Sequence, residues 1–141
     1  MLHETLTQKI IGCAMKVHRT LGPGFLESVY QNALLHELRK AKLHAEAEKR
    51  IQVFYDEALV GDFHADILVE GRVLIENKAV RALAAVHEVQ VVNYLTATGI
   101  EIGLLLNFGA ERLEFKRKYC DYGRVRGIAG QEDPDAEDEE A

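Results

Sequence analysis

Asp66 lies ten residues before the tripeptide Glu76-Asn77-Lys78, so two carboxylates and an ammonium fall within one short stretch of chain. Whether they meet depends on how two strands pair. Residues 60–69 (VGDFHADILV) alternate, with Phe63, Ala65, Ile67 and Val69 on one face and Asp62, His64, Asp66 and Leu68 on the other. Residues 73–79 (VLIENKA) put Val73, Ile75, Asn77 and Ala79 on one face and Leu74, Glu76 and Lys78 on the other. A two-residue turn at Glu70-Gly71 would set Asp66 against Ile75 and run an apolar face into a charged one. A turn centred on Gly71 instead pairs 66 with 76, 67 with 75, 68 with 74 and 69 with 73. Hydrophobic matching selects this second register, because a one-residue slip sends a whole face the wrong way. Asp66 then faces Glu76 with side-chain roots about 5 Å apart, and Lys78 follows on the same face.

Facing carboxylates repel unless one is protonated or a cation bridges them. A hard divalent ion such as Mg²⁺ takes one or two carboxylates and keeps several waters. A nearby ammonium can orient or help deprotonate such a water and counter charge developing on a phosphate. The trio is therefore the minimum equipment for metal-assisted phosphodiester hydrolysis. Solvated strand faces produce the same pattern by chance, so the rest of the chain must decide.

The elements that must position these residues are legible from periodicity. Leu6, Ile10, Cys13, Val17 and Leu21 recur at helical spacing over residues 4–20, and Gly22-Pro23-Gly24 stops that helix. A second helix is predicted over 25–41, with Leu26, Val29, Tyr30, Ala33, Leu34 and Leu38 as its apolar face. Strands are predicted over 48–55, 59–69 and 72–79, then a helix over 84–98 ending at Gly99, then strands over 101–108 and 112–118. The run IGLLLNF reads as a central strand buried on both faces. Helix, helix, three strands, helix and two strands imply one α/β or α+β domain with a mixed sheet flanked by helices.

Composition agrees with a single domain. The 141 residues are 48% hydrophobic, enough for a core without disulfides or structural metal. Cys13 and Cys120 have neither metal-ligand spacing nor a disulfide-rich setting, which points to a reducing cytoplasm. The N-terminal stretch is amphipathic and unlike a signal peptide, and no stretch is long and apolar enough to span a membrane. The net charge of −6 is uneven: seven of 23 acidic residues lie in the last eleven positions, so residues 1–130 carry 17 Lys and Arg against 16 Asp and Glu. We read residues 1–126 as the folded domain and 127–141 as an acidic tail expected to be disordered. A basic cluster, Arg112, Lys116, Arg117, Lys118, Arg124 and Arg126, fits either a phosphate-tracking surface or a solvated edge strand.

Further segments carry a resemblance. Gly24-Phe25-Leu26-Glu27-Ser28-Val29-Tyr30 matches the G-x-x-E-x-x-Y signature, and FHADILV, LIENKAV, VHEVQVVNYLTATG and GLLLNFG follow in order. Over residues 5–118 the chain resembles the GxxExxY family, grouped with the PD-(D/E)xK nucleases. That resemblance implies a restriction-endonuclease-like αβββαβ core, a Mg²⁺ or Mn²⁺ cofactor and a nucleic-acid partner, DNA before RNA. By position it makes Asp66 and Glu76 metal-binding carboxylates, Lys78 the catalytic lysine, the Asn77 main-chain carbonyl a further ligand, and Glu27 an additional acid at the same centre. Gln90 and Tyr94 resemble the Q-x-x-x-Y element of RecB-type exonuclease domains, which lies beside the active site. One helical turn separates the two, so they share a face. Two departures stand out: Asn77 occupies a usually apolar place, and Ala65-Asp66 replaces Pro-Asp.

Each carried-over position also has a purely structural reading. Tyr30 fits a core aromatic with its hydroxyl bonded near Glu27, and Glu27 fits a carboxylate complementing the dipole of its helix. Gln90 and Tyr94 fit a satisfied buried pair, and His64 a solvated residue. Two function classes follow: a metal-dependent nuclease, or a non-catalytic nucleic-acid-binding or protein-interaction module on the same fold. The small size leaves no separate recognition domain, so a homodimer or protein partner would extend the binding surface.

Overall fold

The computed structural model describes residues 3–121 and residue 123. The acidic tail, Arg124 and Arg126 lie outside the described residues. In chain order the elements are α1 (Glu4–Leu21), α2 (Glu27–Lys40), β1 (Ala45–Tyr55), β2 (Ala58–Val69), β3 (Val73–Lys78), α3 (Ala85–Thr98), β4 (Ile102–Asn107) and β5 (Glu114–Tyr119). The strands form one mixed sheet in the order β1-β2-β3-β4-β5. Among the described residues only β3 and β4 run parallel, and α3 supplies the crossover that a parallel pair needs. This is the expected mixed sheet flanked by helices.

Two apolar layers sandwich the sheet. On one side Ile10, Ala14 and Val17 of α1 and Leu34 and Leu38 of α2 pack on Ile67, Val69, Val73, Ile75, Leu104 and Leu106. On the other, Val91 and Leu95 of α3 pack on Ile51, Leu68, Leu74 and Leu105. Every residue of β4 is buried, as its unbroken apolar run requires. Gly99 caps α3 with φ 73°, a conformation open to glycine at no steric cost.

Differences from the sequence reading have local causes. The second helix starts at Glu27 rather than residue 25, because the preceding loop is tied down by Tyr30. Its hydroxyl donates to the Gly22 carbonyl (2.5 Å) and accepts from the Phe25 N–H (3.1 Å), and its ring stacks on Phe108 at 4.9 Å. The packing role of Tyr30 holds, with the hydroxyl bound to the loop just before Glu27. The first strand begins at Ala45, since residues 45–47 already pair with 67–69. Residues Glu114–Tyr119 form an edge strand, where the basic residues divide between the two faces. Arg117 Nε donates to Thr7 Oγ1 of α1 (3.3 Å), while Lys118 pairs with Glu88 of α3 (3.1 Å). Among the described residues the basic cluster is therefore divided between two faces.

Among the described residues neither Cys13 nor Cys120 is joined in a disulfide. Among the described residues no helix is long and apolar enough to cross a membrane.

Candidate active site at the fork between two strands

The β2–β3 ladder has the register that hydrophobic matching selects: Ile67 with Ile75, Leu68 with Leu74 and Val69 with Val73. It stops there. At the next position the strands part, and side chains take over the main-chain partners. Asp66 N–H donates to Glu76 Oε1 (3.1 Å), and Asn77 N–H donates to Asp66 Oδ2 (2.7 Å). Each carboxylate thus accepts a main-chain N–H of the other strand, which locks both in the mouth of the fork. Beyond it β3 stays paired with β4, and Lys78 accepts the Phe108 N–H through its carbonyl (2.8 Å). Peptide groups alternate sides along a strand, so the Asn77 carbonyl turns with its N–H towards β2 and opens into the same fork.

The fork corrects one feature of the sequence reading. Ile67 and Val69 face α1 and α2, but Ala65 packs with Ile51 on the α3 side, and Phe63 meets the Tyr94 ring there. The alternation reverses at Asp66, so Phe63 and Ala65 do not share a face with Ile67 and Val69. Opposite Asp66, Glu48 has a left-handed backbone (φ 53°), and the 48/66 pair is missing between the 47/67 and 49/65 pairs. Such an irregularity breaks the pleat, adds twist and re-aims a side chain. Here it separates Asp66 from the exposed Asp62 and His64. Asp62 is engaged by Arg50 at 2.6 Å.

Burial sets the electrostatics. Glu76 is 6% exposed, and its carboxyl is pushed up to about 8, first by desolvation and then by the neighbouring Asp66 charge. Asp66 is raised as well, mainly by burial, with its bond from the Asn77 N–H pulling the other way. Glu48 and Glu27 add negative potential at Asp66, and Lys78 offsets it. The fork is short of positive charge.

Glu27 occupies the first turn of α2 and is exposed, acting on Asp66 and Glu76 through its field. Among the described residues no three His, Cys, Asp or Glu side chains form a group that could hold a metal ion. The donor set present is two carboxylates with a main-chain carbonyl beside them. That suits a hard cation that completes its shell with water, and the unfavourable ionisation of Glu76 is what a divalent charge would relieve.

Gln90 and Tyr94 come together as the helical spacing implies, Gln90 Nε2 donating to the Tyr94 hydroxyl (3.1 Å). Tyr94 lies near enough to Glu76 and Asp66 for both to oppose its ionisation, which burial already disfavours.

Three positioning residues escaped the sequence reading. Gln31, one turn after Glu27, donates through Nε2 to Glu48 Oε1 (2.9 Å) and to the Asp66 carbonyl (3.3 Å), bracing the break in the sheet. Asn107 clasps the chain just past Lys78: its Oδ1 accepts from the Val80 N–H (3.0 Å) and its Nδ2 donates to the Val80 carbonyl (2.9 Å). A Cβ on Gly109 would lie 2.4 Å from Val80 backbone atoms, so only glycine admits this approach. The one sequence signal was a polar Asn closing an apolar strand.

Asn77 is 1% exposed, and among the described residues neither polar atom of its side chain has a partner. By strand alternation it shares a face with Ile75 and lies beside Leu106 of β4. An orphaned buried amide costs about 1–3 kcal/mol. Asn77→Val should therefore raise stability by about 1–2 kcal/mol, while the main-chain N–H to Asp66 is untouched. Chemical denaturation measures this; a variant no more stable than the parent would mean the amide is satisfied within the fold.

A mixed sheet with two helices on one face and one on the other, carrying an Asp and a Glu-x-Lys at a strand fork, is a nuclease-type α/β fold. Residues 4–118 match the PD-(D/E)XK nuclease superfamily, and the chain belongs to it. The crystal structure of SSO0001 is similar in fold, with a TM-score of 0.53 at 17% identity over 88% of this chain. This chain spans 64% of that one. No curated protein matches the chain.

Proposed function

We propose that the chain is a metal-dependent nuclease that hydrolyses phosphodiester bonds at the fork between β2 and β3, DNA before RNA. The observation that carries this reading is the crossed pair of bonds that fixes Asp66 and Glu76 in the fork, where the charge of Lys78 acts on both. Within the superfamily, Gly24, Glu27 and Tyr30 support membership of the GxxExxY group.

Asp66, Glu76 and the Asn77 carbonyl would hold Mg²⁺ or Mn²⁺, with Glu27 contributing negative charge from α2. When bound, such an ion polarises the phosphate and lowers the pKa of a coordinated water. The remaining work falls to the chain. Lys78 orients the attacking water and offsets charge gathering on the non-bridging phosphate oxygens. The Gln90–Tyr94 pair walls the site on the α3 side and shields it from bulk solvent. Asn107 and Gly109 hold the strand end so that Lys78 keeps its place, and Gln31 does the same for Asp66.

The test is incubation of the purified chain with single-stranded DNA, duplex DNA and RNA, with and without Mg²⁺ or Mn²⁺. Cleavage that needs the ion and stops with EDTA is the expected result. Binding that ignores divalent ions, with no cleavage of any of the three, would instead fit a non-catalytic module.

A further inference from the structure

Beside the fork, the outer halves of β1 and β2 continue as a two-stranded arm past the end of their pairing with β3. Between this arm and α3 lies a pocket of about 470 Å³, lined by Phe63 of the arm and by Val86, Val89, Gln90, Asn93 and Tyr94 of α3. Its size falls within the usual range for small-ligand sites. We propose that it receives an unpaired nucleobase of the substrate strand, and this rests on the nuclease reading above.

The pocket wall is apolar, aromatic and exposed. Phe63 is 45% exposed, Val86 67% and Val89 56%, and together they form a patch beside the fork rather than isolated surface residues. The Phe63 ring leans against Tyr94, with centroids 5.8 Å apart and planes at 34°. Gly61 makes room for it, because a Cβ there would stand 2.7 Å from the Phe63 ring. Phe63 is thus packed against Gly61 and Tyr94 and still 45% exposed, which leaves ring surface on which a base can stack.

The chemistry of the rim narrows the occupant. Among the described residues no charged side chain lines the pocket, so it is built for neither a phosphate nor a cation. Its polar groups are the Gln90 and Asn93 amides and the Tyr94 hydroxyl, donors and acceptors of the kind that read base edges. Tyr94 also joins the pocket to the catalytic fork, since it bonds to Gln90 and feels the charges of Glu76 and Asp66. Phe63 stands three residues before Asp66 on β2, about 10 Å along the strand, so a nucleic-acid strand whose phosphate lies at the fork has a neighbouring base within reach of the pocket. A paired base inside a duplex is stacked and cannot enter. The pocket therefore selects single strands, frayed ends or splayed bases.

The full chain is tested in EDTA, so that metal-dependent cleavage does not intervene. The probes are a short single-stranded DNA carrying 2-aminopurine and a blunt duplex of the same sequence. Binding of the single strand should quench the 2-aminopurine by stacking. Phe63→Ala and Val89→Asp, both at exposed positions, should keep the parent melting behaviour and weaken single-strand binding by about 5- to 100-fold with loss of quenching. Duplex binding should change little. Unchanged affinity and quenching in both variants would overturn the base pocket while leaving the nuclease reading intact. If the parent binds neither probe, with or without Mg²⁺, and cuts nothing, the proposal falls with the reading on which it rests. Dissociation of an oligomer by Val89→Asp with oligonucleotide binding unaltered would assign the patch to contact between copies and overturn the proposal.

Discussion

Glu76→Gln and Lys78→Ala should each lower metal-dependent cleavage by on the order of 10³-fold while leaving the fold intact. The two losses have different origins. Removing one pre-placed charge that steadies a developing anion costs about 10²–10³ in rate, which sets the scale for Lys78. For Glu76 the loss comes through the ion, because a neutral amide is a poor ligand for a hard cation. Gln keeps the shape of the side chain and an oxygen that can still accept the Asp66 N–H, so the crossed hydrogen bonds survive. It also removes a buried group whose ionisation the site disfavours. Metal-free Glu76→Gln should therefore melt no lower than the parent at pH 8.5, which separates lost chemistry from lost structure. Asp62→Asn, on the same strand but exposed and paired with Arg50, serves as the control and should retain cleavage within about twofold, as exposed ion pairs contribute little. Folded variants that cut as fast as the parent would remove Glu76 and Lys78 from the mechanism.

How far this site was legible depends on which interactions leave a local trace. The pairing of Ile67 with Ile75 and Val69 with Val73 could be read, because a slip by one residue would have buried charge on a whole face. Gln90 and Tyr94 could be placed together by helical spacing alone, and their hydrogen bond satisfies both readings of the pair. The reversal at Asp66 could not. It depends on Glu48 adopting a left-handed backbone, and a glutamate advertises no such conformation as a glycine would. Gln31 and Asn107 were invisible for another reason. Their partners lie 35 and 27 residues away, and nothing in a polar residue's neighbours says which distant carbonyl it will meet. The base pocket combines both problems: Val86 and Val89 read as ordinary helix residues until the strand reversal brings Phe63 onto their side. The same reversal aims Asp66 at Glu76 and turns Phe63 towards α3, so one backbone irregularity organises both the fork and its neighbouring pocket.

That charge-starved fork predicts an unusual pH profile for the metal-free protein. A carboxyl whose folded pKa is raised takes up its proton more readily in the native state than in the unfolded chain. Its contribution to stability is complete below the ordinary glutamate range, near pH 4.5, and is lost as pH rises towards about 8. Asp66, raised in the same direction, adds to the slope at the acidic end. In EDTA the melting temperature should therefore fall between about pH 5 and 8, with a limiting slope of about 1.4 kcal/mol per pH unit for one proton. Glu76→Gln should flatten most of that slope, which distinguishes this carboxyl from every other titrating group. Mn²⁺ or Mg²⁺ should reverse the loss, because a cation bound to the ionised carboxylates displaces the proton. The rise in melting temperature on adding the ion should be small at pH 5 and large at pH 8, and an ion at about 100 times its Kd stabilises by about 2.7 kcal/mol. Scanning fluorimetry over a grid of pH and metal concentration measures both effects in one experiment. A metal-free profile that stays flat, or a metal-induced shift as large at pH 5 as at pH 8, would mean that Glu76 neither holds the proton nor yields it to the ion.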